Sequence, residues 1–153
     1  MLCLRAISSP RFTLGFPRTL AQAQALDQLT NITKTIHITL ERWVTIEKLR
    51  ERKICKGCGQ GFNSAHIVTD TFRMPALSQC KANCSLGNEY CEKFGLLESR
   101  SDDTEDVIKS RLEEYDRTIA PLLKHYDRNN KLATFSVHSG IDDTDDLVAF
   151  MLK

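Results

Sequence analysis

Between Leu96 and Leu123 the apolar residues Ile108, Leu112, Tyr115, Ile119 and Leu122 are spaced 4, 3, 4 and 3 apart. That spacing lays one apolar stripe along an amphipathic α-helix. Charge marks its start. Asp102 or Asp103 can accept from the first backbone N–H groups, and Asp103 with Asp106 has the form of a capping box. Glu105 and Asp106 suit the positive end of the helix. Arg100 precedes the helix and Arg111 lies two turns into it, off the stripe, so both guanidinium groups are placed to face one anionic ligand. Two solvated arginines on a charged face are the alternative.

The same patterning reads along the rest of the chain. Phe12–Leu14 is a short β-prone piece, followed by Gly15-Phe16-Pro17-Arg18-Thr19 and an Ala/Gln/Leu-rich helix to about Gln28. Thr35–Leu40 alternates with β-branched residues and reads as a strand, with His37 a packed strand histidine that has no evident partner. Arg42–Arg52 reads as a helix, Lys131–Val137 as a last strand and Asp142–Leu152 as a closing helix. The acids Asp142, Asp143, Asp145 and Asp146 open that helix, where its dipole favours them without a metal. The class is α/β.

Composition narrows the picture without assigning chemistry. At 153 residues and 41% hydrophobic content the chain is sized for one domain with a core and room for a small insertion. A net charge of +1 gives no general pull toward nucleic acid or anionic lipid. No apolar run approaches the roughly 18 residues of a membrane span. The first 26 residues carry Arg5, Arg11 and Arg18 and no acid before Asp27, the composition of an organellar import segment. A short basic tail without a targeting role is the alternative.

Five of the six cysteines lie between Cys55 and Cys91. Cys55-Lys56-Gly57-Cys58-Gly59 is a C-x-x-C-G knuckle, a turn that aims two thiolates at one point as tetrahedral zinc requires. Cys80, Cys84 and Cys91 follow as three candidates for two places. His66 and Asp70 lack the spacing of paired ligands, and Cys3 stands apart in the tail.

Three stretches resemble the adenylate kinases. They are L-x-x-R-x-D-D-T-E-x-V from Leu97, continued by R-L-x-x-Y and A-P-L; G-F-P-R-T from Gly15; and EKLRERKICKGCG from Glu47. The resemblance covers Phe12–Lys153. It implies an incomplete adenylate-kinase-like parallel sheet with flanking helices over 12–153, a Cys-rich lid at 53–98 and a basic tail at 1–11. It further implies that Arg18 grips the acceptor nucleotide's phosphate, that Arg52, Arg100 and Arg111 hold the transferred phosphates, and that the Asp pair lies at the lid hinge. A structural zinc would be held by Cys55, Cys58, Cys84 and Cys91, with Cys80 as an alternative ligand; a metal-free lid is equally a family feature.

The chain also departs from that pattern. Leu14 stands where the family has an Asp that organises the metal, and Lys48 where it has a second arginine. None of the seven glycines opens a G-x-x-x-x-G-K phosphate loop. In the family the strand feeding that loop lies between the third and fourth, so the strands at Phe12–Leu14 and Thr35–Leu40 are expected to face an open slot. Unpaired strand edges invite a protein partner. These departures lead to the expectation of a non-catalytic subunit of a mitochondrial assembly on the matrix side: a respiratory-chain complex, ATP synthase or mitoribosome. Nucleotide binding is then vestigial, absent or weak. One half of a split nucleotide kinase, or a nucleotide-binding regulatory subunit, is the alternative.

Overall fold

A computed structural model describes residues 2–5, 11–56, 59–77, 97–100 and 103–152. They form two compact units, one from Met1–Thr39, Arg111–Val137 and Asp143–Lys153, the other from Leu40–Ser110 and His138–Asp142.

The first unit holds β1 (Leu2–Arg5), β2 (Arg11–Leu14), helix α1 (Leu20–Leu29) and β3 (Ile32–Thr39). It also takes most of α3 (Glu105–Arg128), then β9 (Leu132–Ser136) and α4 (Thr144–Met151). Its sheet has the order β2-β1-β3-β9. Strands β3 and β9 are parallel, in register from Thr35 opposite Leu132 to Thr39 opposite Ser136. Strand β1 runs antiparallel to both β2 and β3, with Leu2 opposite Leu14 on one side and Ile36 on the other. The architecture is therefore mixed α/β, and the expected open slot does not exist. The backbone of Leu2–Arg5 fills it, because interior N–H and C=O groups need partners and a hairpin supplies them locally.

Helix α3 follows its predicted stripe. Ile108 and Leu122 are fully buried, and the stripe runs on to a buried Tyr126 one turn beyond the predicted residues. Tyr115 stays 44% exposed. In the first unit Ala23, Ile32, Leu122 and Tyr126 form one cluster, with Leu26, Ile119 and Leu132 against it. Ile36 centres a second, with Ile38, Phe135, Leu147, Phe150 and Met151. The helix stops where Asn130, left-handed at φ 53°, lets Lys131 N–H reach Tyr126 O at 2.9 Å. Its first intrahelical bond is Ile108 N–H to Thr104 O at 2.9 Å, which puts Thr104 at the cap position expected of Asp102 or Asp103. Among the four closing acids, Asp145 and Asp146 occupy the first turn of α4, while Asp142 and Asp143 lie in the 3₁₀ turn Gly140–Asp143 before it.

His37 has a partner after all. Its Nε2 lies 3.0 Å from the Tyr115 hydroxyl, 78 residues away in the chain. Burial holds the imidazole pKa below its ordinary value. The folded state thus takes up its proton later than the unfolded chain as pH falls, so stability is lost from about pH 6.5 downward. Urea midpoints at pH 7.5 and 5.5 should fall less in His37→Gln than in the wild type; equal falls would remove His37 as the source.

The second unit comprises α2 (Arg42–Arg50) and the three-stranded antiparallel sheet β5-β4-β8, from Gly61–Asn63, Arg52–Cys55 and Leu97–Ser99. It also holds the pair β6 (Ile67–Val68) and β7 (Arg73–Met74). Helix α2 thus ends two residues earlier than predicted, because Arg52 already belongs to β4. Val44, Cys55, Phe62, Ala65, Ile67, Phe72, Met74 and Ile108 are its buried apolar residues. Among the described residues no helix is long and apolar enough to cross a membrane.

Candidate functional site

The Gly15–Thr19 loop is built by local bonds. Gly15 turns the chain at φ 72°, a left-handed conformation that a side chain disfavours. Thr13 Oγ1 donates to Phe16 O at 2.9 Å, and Arg18 Nε donates to Gly15 O at 2.8 Å. Thr19 caps α1 by accepting from Gln22 N–H, while Gln22 Oε1 accepts from Arg18 N–H at 2.7 Å. This reciprocal arrangement is close to a capping box, and its T-x-x-Q signature stood in the sequence unread. The guanidinium of Arg18 is consequently tethered at Nε on an exposed loop, with Nη2 close to Gly15, where an added Cβ would lie 3.6 Å from it. Leu14, just before, is 79% exposed.

In the second unit Arg52 meets Asp103. Nε donates to Oδ2 at 2.9 Å and Nη2 to Oδ1 at 2.6 Å, a two-pronged pair with side-chain exposures of 28% and 1%. Asp103 therefore serves Arg52, which sequence spacing alone did not indicate. Asp103 N–H also donates to Arg100 O at 3.1 Å, closing the turn after β8 that carries Arg100.

Lys48 takes a different role from the arginine it replaces. Its ammonium donates to Ala65 O at 2.8 Å and Pro75 O at 3.2 Å, and Asn63 Nδ2 donates back to Lys48 O at 2.6 Å. Burial lowers the Lys48 pKa. A compact ammonium with three donors suits converging carbonyls. Lys48 thus ties α2 to the segments flanking β6 and β7.

The four predicted arginines divide between the units. Arg18 and Arg111 belong to the first, Arg52 and Arg100 to the second. Arg111 is exposed on α3.

Of the predicted metal ligands, Cys55 is buried at the end of β4. Gly59 N–H donates to Cys55 O at 2.8 Å with Gly59 left-handed at φ 70°, and Cys55 N–H donates to Gln60 O at 3.0 Å. Cys58, Cys80, Cys84 and Cys91 lie outside the described residues. Among the described residues no group of three or more His, Cys, Asp or Glu side chains is placed to hold a metal. His66 and Asp70 are both exposed.

Comparison with known proteins gives these features a class. The chain is related to phosphotransferases that act between nucleotides, and in particular to the adenylate kinases. It is 35% identical over 141 residues to the GTP:AMP phosphotransferase of Plasmodium falciparum, covering 91% of this chain and 59% of that protein. It is 36% identical over 131 residues to the chloroplastic adenylate kinase 1 of Arabidopsis thaliana, covering 85% and 44%. Identity to the adenylate kinase of Borrelia turicatae is 34% over 128 residues, covering 84% and 54%. No family model matches the chain. The chain thus spans about half the length of the curated relatives it matches.

These relatives overturn the expectation of a non-catalytic accessory subunit. All three are named as enzymes, and none as a component of a respiratory complex, ATP synthase or ribosome. The departures at Leu14 and Lys48 had argued for a pseudoenzyme, but single substitutions weigh less than similarity spread along most of the chain. The associated expectation of absent or weak nucleotide binding loses its support for the same reason.

Proposed function

We propose that the chain is the acceptor-loop, lid and C-terminal portion of an adenylate-kinase-type phosphotransferase, one half of a split nucleotide kinase. The observation that carries this reading is the 35% identity to a GTP:AMP phosphotransferase over 91% of the chain. The phosphate loop, which these residues do not carry, is supplied from outside them, by a segment whose feeding strand takes the place of β1 between β2 and β3. In the complete site Arg18 holds the phosphate of the acceptor nucleoside monophosphate. Arg52, Arg100 and Arg111 bear on the donor's phosphates as one phosphoryl group passes from nucleoside triphosphate to monophosphate. Such transfer depends chiefly on positioning and charge stabilisation, which arginines on built loops and helices supply.

A structural zinc accompanies the reading. The buried Cys55 at the end of β4 supports the first half of the site, with Cys58, three residues on in the sequence, and Cys84 and Cys91, or Cys80, completing it. Four thiolates leave no open position, so the ion would brace the lid and take no part in transfer. An organellar location, with the mitochondrial matrix as its finer form, is supported by the basic first residues and by the chloroplastic name of the Arabidopsis relative.

The test mixes the purified chain with the phosphate-loop segment of the Plasmodium relative and measures ADP formation from AMP with GTP or ATP. Turnover that requires both polypeptides is expected; its absence from a mixture in which the two associate would overturn the proposal.

A further inference from the structure

We infer that Asp103 is a positioning residue for Arg52, making that arginine a directional ligand for phosphate oxygens in place of a freely swinging positive charge. The inference rests on the proposed phosphotransferase reading and assigns a role that the resemblance did not give Asp103, which there was only part of a hinge.

The geometry is specific. A carboxylate whose side chain is 1% exposed is stable there only when its oxygens are paired. Asp103 meets that need by gripping the guanidinium edge formed by Nε and Nη2. Two parallel bonds fix the plane of the fork, which one bond would leave free to rotate. The third nitrogen, Nη1, makes no hydrogen bond among the described residues, and the Arg52 side chain keeps 28% of its surface. The donors left over therefore face away from the carboxylate in a set direction.

Charge gives a second consequence. The Asp103 carboxylate offsets charge on Arg52, so the selectivity of Arg52 for phosphate comes from aim more than from net attraction. Asp103 also donates its backbone N–H to Arg100 O, so one residue orients Arg52 and closes the turn bearing Arg100. If the pair were only a pin for β4, an apolar contact of similar volume would serve as well.

The test is a titration of the full chain with tripolyphosphate, in the wild type, Asp103→Asn, Arg52→Lys and the double variant. Asp103→Asn makes the protein more positive, so simple charge attraction predicts tighter binding. The positioning role predicts about tenfold weaker binding, the size expected for losing a well-aimed charge-assisted hydrogen bond. Arg52→Lys should lose as much, and the double variant no more than either single one, because Asp103 acts through Arg52. Equal or tighter binding in Asp103→Asn, or losses that add in the double variant, would overturn the inference while leaving the kinase reading intact. A wild-type chain that ignores tripolyphosphate at millimolar concentration would overturn the inference, while the kinase reading stands or falls by the reconstitution.

Should Asp103→Asn fail to fold, the wild type decides. The Arg52 Nε–H resonance, assigned by its disappearance in Arg52→Lys, should stay protected from exchange with and without tripolyphosphate. Rapid exchange, or loss of protection on binding, would show that Asp103 does not hold the guanidinium in place.

Discussion

ADP formation by the reconstituted kinase should fall about a thousandfold in Arg111→Ala, the scale measured when an arginine that stabilises phosphoryl transfer is removed. Arg111 sits on α3, a helix of 24 residues, so its backbone position is set by a rigid element and its guanidinium lies near that element at little entropic cost. On the proposed reading, the charge it supplies grows in importance as the phosphoryl group separates from donor and acceptor. The loss should therefore appear mainly in kcat, with a smaller change in KM. Arg117, on the same helix and paired with Glu114 one turn before it, provides the control. Arg117→Ala should leave turnover within about twofold, because an exposed helical ion pair contributes little. If Arg111→Ala retained a third or more of wild-type turnover, Arg111 would be a solvated surface residue.

The largest loss of stability is expected for Tyr126→Ala. Tyr126 is fully buried and joins Leu122 from α3, Ala23 from α1 and Ile32 from β3 in one cluster. Truncation removes the transfer energy of the ring and leaves a cavity that fixed backbone on three elements prevents from closing. Together these cost about 3–5 kcal/mol. For a chain of 153 residues that corresponds to roughly 10 °C in Tm. Thermal melts followed by circular dichroism measure the shift. Leu29→Ala, at a residue 81% exposed, should change Tm by no more than about 1 °C. A Tyr126→Ala melt within about 2 °C of wild type would mean that this cluster does not govern the transition.

Much of the fold was legible because helices and strands leave periodic signals over short windows. The stripe at Ile108, Leu112, Ile119 and Leu122 identified α3, and alternation in Thr35–Leu40 identified β3, which runs from Ile32 to Thr39. Local chemistry is written in the sequence as well, as the T-x-x-Q cap at Thr19 shows. The four residues of β1 carry too short a pattern to separate a strand from a basic tail. Only pairing to Thr13 and Thr35 makes Cys3 part of an interior strand. The function was misjudged where weight went to the substitutions at Leu14 and Lys48. The structure gives Lys48 a place between the Ala65 and Pro75 carbonyls that suits an ammonium.

Arg52 and Asp103 show the division most clearly. By itself the sequence placed Arg52 in a stretch that resembles one of the adenylate kinases and Asp103 before a helix, since both follow from short motifs. That they meet, 51 residues apart, was decided by antiparallel pairing of β4 with β8, which sets Lys53 opposite Ser99 and carries the chain on to Asp103. Local propensities act over a few residues and fix the elements. Which side chain neutralises a buried carboxylate depends on strand register and on the free energy of leaving that charge unpaired, and these exist only in the folded chain.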